Sequence, residues 1–244
     1  MDPVFCELIR GNFQFPFFCV PYGDDYDQIE YMMRSWKDAG AHRAVFLPGA
    51  PTYSRPSQFF RAITSARQGG ADGACGFAFS MSVADQFGFL SHDHEWRWKA
   101  TMLASQTNFP TPELNAYSLI EDPAELVEAL AVSDLTVFSG ESETEIFRQA
   151  LEVLVPGQVQ ISRGLPGDAP QNGQLFVIID DDSKDSLNKW PSDLLAKEEG
   201  SNKGIIQMTD HVVRITGSDA IGLQNAKTLF LRFAEMAKVE SFYN

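Results

Sequence analysis

The sequence predicts an α/β part followed by an α+β part. Two observations predict it. In roughly the first hundred residues, apolar runs alternate with amphipathic ones as strand, loop, helix. This happens three times at about 30-residue spacing, the rhythm of a parallel β/α sheet. From residue 135 onward the order becomes β-α-β-β-β-β-α, which reads as a small α+β sandwich.

The first strand is "FQFPFFCV" (13–20), ending in the loop "PYGDD". "YDQIEYMMRSWKDAG" then carries Ile29, Met32, Met33 and Trp36 at helical spacing, with Gly40 as the stop. "RAVFLPG" (43–49) is a short buried strand leading into "APTYSRP". In "SQFFRAITSARQGG", Phe59, Phe60 and Ile63 share one helix face, and Pro56 stands at the helix start, where its missing N–H costs nothing. "ACGFAFS" (74–80) is the third strand, and a helix is expected from about Asp93 to Ser105.

"QTNFPTPEL" (106–114), with two prolines and little periodicity, reads as a linker. "EDPAELVEALAVS" is a short helix with Leu126, Val127 and Leu130 inward. "LTVFSG" is a strand, and the helix in "ESETEIFRQALEVL" opens on the capping-box pair Ser142 and Glu145. "VQISRG" and "GQLFVIID" are strands separated by the turn-rich "LPGDAPQNG". After a polar excursion, "GIIQMTDHVVRITGSD" forms two strands around a turn at Thr209-Asp210. "AIGLQNAKTLFLRFAEMA" closes as an amphipathic helix with Leu223, Ala226, Phe230 and Phe233 on one side. The expected domains are residues 1–105 and 133–244, with 106–132 as linker and helix.

Composition narrows the function. A net charge of −14 leaves no basic stripe to neutralise nucleic-acid phosphates or to hold an anionic membrane surface. Cys6, Cys19 and Cys75 are few, odd in number and far apart. This suits reduced thiols in a cytoplasm-like compartment. "MDPVFCEL" lacks the basic start of a signal peptide, and no apolar run reaches the roughly 18 residues of a membrane span. A soluble, cytoplasmic protein with a neutral or cationic ligand is expected. No Gly-x-Ser-x-Gly, P-loop or Gly-x-Gly-x-x-Gly pattern is present, and "IIDDDSKD" (178–185) lacks calcium-loop spacing, so no cofactor is implied.

"HVVRITGSDAIGLQNAKTLFLRF" (211–233) resembles the end of the small α+β domain beside the catalytic barrel of hexosaminidase-like glycoside hydrolases. The shared features are the strand Val212–Thr216, Gly217 with Asp219, Gly222, and the helical pair Thr228-Leu229. The upstream strand, helix and strands extend the similarity over about 135–235. Residues 1–105 resemble the closing βα units of a (β/α)8 barrel, "SARQGGADGACGFAFS" being similar to its last helix-to-strand step. The resemblance implies a partial barrel-like N-terminal part and a carbohydrate context. It departs from the family in domain order, since here the small domain follows, and in having three βα units where a barrel needs eight.

Parallel β/α folds carry their sites on the loops after the strands. The carboxyl candidates there are Asp24, Asp25, Asp93 and Glu95, with Asp85 further along. A glycosidase needs two such groups, about 5–5.5 Å apart for retention and about 6.5–9.5 Å for inversion. Asp24 has a second reading as the N-cap of the helix starting near Tyr26, and Asp93 and Glu95 one as acids favoured at a helix start. Tyr22, Tyr53, Phe87, Trp96 and Trp98 offer flat faces to sugar rings, or else pack the core. Arg55 suits an anionic group, or simple solvation.

His92 and His94 would face together only on a strand; at a helix start they diverge, so no metal site is expected and they stand as sugar-contact candidates. Two functions follow. One is a glycoside hydrolase-like, carbohydrate-active protein with acid and base at the strand ends. The other is a non-catalytic interaction subunit whose incomplete barrel is completed by self-association or by a partner chain, because open sheet edges need cover.

Overall fold

A computed structural model describes residues 17–19, 25–48, 53–74, 95–111, 113–139, 144–163, 166–180 and 202–243. The chain divides into two units, residues 1–109 with 122–124, and residues 110–121 with 125–244. Among the described residues, no helix is long and apolar enough to cross a membrane.

The first unit runs β1 (Phe17–Cys19), α1 (Tyr26–Asp38), β2 (Ala44–Phe46), α2 (Pro56–Gln68), β3 (Gly73–Ala74) and α3 (Glu95–Asn108). The strands lie in the order β1-β2-β3 and all pair parallel, with Phe18 beside Val45 and Val45 beside Gly73. The co-directional strands expected from the alternating pattern are therefore present. The remainder of the expected third strand lies outside the described residues.

The inward faces follow the helical spacing. Ile29 and Met33 of α1 are buried, as are Phe59, Phe60 and Ile63 of α2. The N-cap of α1 is Asp25 rather than Asp24; its carboxylate accepts from the Gln28 N–H at 3.0 Å. α3 runs three residues past the expected end. Its last residue, Asn108, donates to the Ala104 carbonyl at 2.9 Å and accepts from the Thr64 hydroxyl at 3.2 Å, bonds that periodicity does not register.

At the amino-terminal end of the sheet, Asp72 joins three elements. Its carboxylate accepts from the Ala44 N–H at 2.7 Å and from the Lys37 ammonium at 2.9 Å. Partial burial opposes ionisation, but the Lys37 and Ala44 bonds and the charges of Lys37 and Arg43 outweigh it, holding the carboxyl below its ordinary value.

The second unit contains β4 (Ala116–Ser118), α4 (Pro123–Val132, apart from its first two residues), β5 (Asp134–Phe138), α5 (Thr144–Leu154), β6 (Val159–Ser162), β7 (Gln174–Asp180), β8 (Gly204–Thr209), β9 (Val212–Gly217) and α6 (Ala220–Glu240). The sheet order is β4-β8-β9-β7-β5-β6, and every neighbouring pair is parallel except the β8–β9 hairpin. A mostly parallel sheet thus stands in place of the expected α+β sandwich. The connection after β6 carries the chain to the far side of β5, where β7 pairs in the same direction, instead of folding back on β6.

Between the expected linker at 106–114 and α4 the chain adds a strand that the sequence reading lacks. Residues 116–118 form β4, an edge strand whose buried residues pair with β8. Three residues are too few to show a period. Downstream, Leu126, Val127 and Leu130 of α4 are fully buried, as expected. Ser142 lies outside the described residues, while Glu145 is bonded to Arg148 and Gln149, which hold its carboxyl down to about 2.

One sheet face carries Leu135, Val137, Leu175, Val177, Ile179, Val213 and Ile215, all buried. α6 packs on β8 and β9, and α5 reaches it through Phe147 against Phe230, ring centroids 6.0 Å apart. Leu223, Phe230 and Phe233 of α6 are buried, at about 2 kcal/mol each. The other face holds the cluster Phe138, Phe176 and Ile178, with Val212 against it.

The β8–β9 turn centres on Asp210 and His211, one residue later than expected, with φ of 48° and 62°. At the other end of the hairpin the backbone of α6 lies directly on the sheet. A Cβ on Gly217 would stand 2.0 Å from the Leu223 nitrogen, one on Gly222 2.2 Å from the Lys203 carbonyl, and one on Gly204 2.2 Å from the Gly222 carbonyl. Asp219 caps the helix there, accepting from the Gly222 N–H at 2.7 Å.

Two outcomes follow. Gly217→Ala and Gly222→Ala each lose about 2–3 kcal/mol in chemical denaturation. Gly167→Ala, where a Cβ meets nothing within 4 Å, stays within about 0.5 kcal/mol. Because the Asp72 carboxyl titrates lower folded than unfolded, its stabilisation is complete above the ordinary carboxyl range and is lost as pH falls through the depressed value. The wild-type denaturation midpoint therefore falls more steeply below about pH 4 than that of Asp72→Asn, by an amount kept small by exposure of the ion pair.

Candidate functional site

Parallel pairing of β1, β2 and β3 puts their carboxyl ends on one edge of the sheet. After β1, Asp25 is exposed and engaged in capping α1. After β2, the segment Tyr53-Ser54-Arg55 leads into α2, and Gln58 fixes it. The Gln58 side-chain oxygen accepts from the Ser54 N–H at 2.8 Å, the Ser54 hydroxyl at 3.2 Å and the Arg55 N–H at 3.3 Å. Pro56 at the first helical position sets the register that puts Gln58 at the third, where a side chain can reach back.

The loop is held from inside by aromatic rings. Tyr53, fully buried, meets Phe59 edge-on with centroids 5.0 Å apart at 61°. Phe59 in turn meets Trp96 at 5.7 Å and 88°, and Trp96 is 8% exposed. Each such pair contributes about 0.5–1.5 kcal/mol beyond its buried area. The Arg97 guanidinium lies 5.4 Å from the Trp96 centroid. This rib joins the post-β2 loop, the first turn of α2 and the first turn of α3.

Two aromatic candidates, Tyr53 and Trp96, are thus brought together on Phe59, but as a buried wall and not as open faces. Arg55 follows Tyr53 and is half-buried; Glu95 precedes Trp96 and is exposed. Glu95 pairs with Lys99 one turn along at 3.4 Å, favourable beside a helix N-terminus. Tyr22, Asp24, Asp85, Phe87, His92, Asp93 and His94 lie outside the described residues. Among the described residues, no three His, Cys, Asp or Glu side chains gather to hold a metal ion.

Phe59, Gln58 and Arg97 organise this corner and were not among the residues picked from the sequence. Phe59 was read only as core. The signal for Gln58 was half present, since "RPSQ" has the glutamine of a capping box without its Ser or Thr.

Compared with known proteins, the chain matches no family model, no curated protein and no solved structure.

Removing the central ring separates the two ends of the rib. Phe59→Ala loses about 3–5 kcal/mol and weakens the near-ultraviolet circular dichroism of the aromatic residues. Glu95→Gln, at an exposed ion pair, shifts stability by less than about 1 kcal/mol.

Proposed function

We propose that the chain is a carbohydrate-active protein of the glycoside hydrolase type, its site on the edge where β1, β2 and β3 end. The observation that carries the reading is the Tyr53–Phe59–Trp96 rib, which fixes the post-β2 loop beside the start of α3. That geometry holds Arg55 and Glu95 on two elements anchored to each other, the support a preorganised site needs.

In this reading Glu95 or Asp93 from the start of α3, and Asp24 or Asp25 from the post-β1 loop, supply the acid and base that glycosidic cleavage requires. Tyr53 and Trp96 shape the wall without stacking on sugar. Contact with the sugar falls to Tyr22, Arg55, His92 and His94.

A second reading is favoured by α5. Ile146 is 75% exposed and Val153 67% exposed, two turns apart on one helix face. A second copy of the chain would cover these two apolar side chains, which suits a non-catalytic, self-associating subunit.

A panel of aryl glycosides, assayed beside sedimentation velocity, decides between the two. The first reading expects cleavage of at least one glycoside, reduced more than about 100-fold in Glu95→Gln or Asp24→Asn while the fold is kept. If every glycoside stays intact and no sugar binds, that reading is lost. A dimer that dissociates in Ile146→Lys then supports the second, and a monomer at all concentrations removes it.

A further inference from the structure

β4 is three residues long and pairs with β8 in parallel. Two backbone bonds flank it, Gly204 N–H to the Asn115 carbonyl and Leu119 N–H to the Ile206 carbonyl, each 2.9 Å. Side chains add to so short a ladder. The Lys203 ammonium donates to the Leu114 carbonyl and stands 5.7 Å from the Tyr117 ring centroid, although Lys203 is only 8% exposed. The Tyr117 hydroxyl donates to the Thr111 carbonyl at 3.2 Å. Leu114 and Leu119 pack on Tyr117 and Ile205. The Glu113 carboxyl sits below its ordinary value, through the Thr111 hydroxyl and its own backbone first and the Lys203 charge last.

One residue opposes this closure. The Ser118 hydroxyl is buried with no hydrogen-bond partner among the described residues. A buried hydroxyl without a partner loses hydration that it regains on exposure. β7 and β9 differ in kind: each is paired on both sides over five or six residues.

We propose that residues 113–121 form a strap that detaches from β8 while the rest of the sheet stays folded, with Lys203 as its latch and Ser118 as the built-in tendency to open. Closed, the strap covers the β8 edge and Ile205, on which its Tyr117 packs. Open, it leaves the main-chain donors and acceptors of the β8 edge and the Ile205 side chain uncovered. The proposal rests on the second unit alone and is independent of the sugar reading.

Native-state hydrogen exchange across a denaturant series tests it. The Leu119 and Gly204 amides should exchange at least about 100-fold faster than those of β7 and β9, with little denaturant dependence, because opening exposes little surface. Lys203→Met, which keeps the apolar stem and loses the ammonium, should speed that exchange about tenfold, and Ser118→Ala should slow it about tenfold. The strap is refuted if the Leu119 and Gly204 amides share both the rate and the steep denaturant dependence of β7 and β9. The latch is refuted if a shallow, fast exchange is unmoved by both substitutions. Should Lys203→Met fail to fold, the wild type and Ser118→Ala still decide the question.

Discussion

The second unit depends on the contact of α6 with the base of the β8–β9 hairpin. Here main chain meets main chain, and Gly204, Gly217 and Gly222 leave no room for even a methyl group between helix and sheet. So close an approach fixes the helix in position and angle more tightly than side-chain packing alone, since nothing at the contact can change rotamer. From that fixed end, α6 lays Phe230 and Phe233 over the sheet and offers Phe230 to Phe147 of α5. The residues that suggested a family resemblance, Gly217, Asp219 and Gly222, are the residues of this joint. Their roles are steric fit and helix capping, and so the motif speaks for architecture and not for chemistry.

Much of the fold was legible because its signals are periodic and local. The inward faces of α2, α4 and α6 follow apolar spacing, and the parallel run β1-β2-β3 follows from strands alternating with amphipathic helices. What was missed depends on partners far away in the chain. β4 is a strand because β8, nearly ninety positions later, offers it an edge (Ser118 beside Ile206) and a lysine (Lys203 to Leu114). Likewise, the direction of β7 relative to β6 is decided by which side of β5 the chain returns to. No local pattern encodes that choice.

The site was less legible. The sequence picked Tyr53 and Trp96 by residue type, and type does not tell whether a ring presents its face or is enclosed. Enclosure follows from Phe59, which comes between them in space and was assigned to the core by its helical spacing. For Asp24 and Asp25 the uncertainty was a single position, and the bond that the Asp25 carboxylate accepts from the Gln28 N–H assigns the cap to the second of them. Capping is a matter of ångströms, whereas a run of two acids specifies it only to the nearest residue.

The sheet order has a bearing on biosynthesis. Strands β8 and β9 lie between β4 on one side and β7, β5 and β6 on the other, yet of the described strands they are synthesised last. Until they emerge, the early edge strand has no neighbour to pair with, and β7 stands with one flank open. Chain growth at about 5–20 residues per second keeps that flank exposed for several seconds. During that interval the nascent chain carries an apolar parallel ladder awaiting its middle.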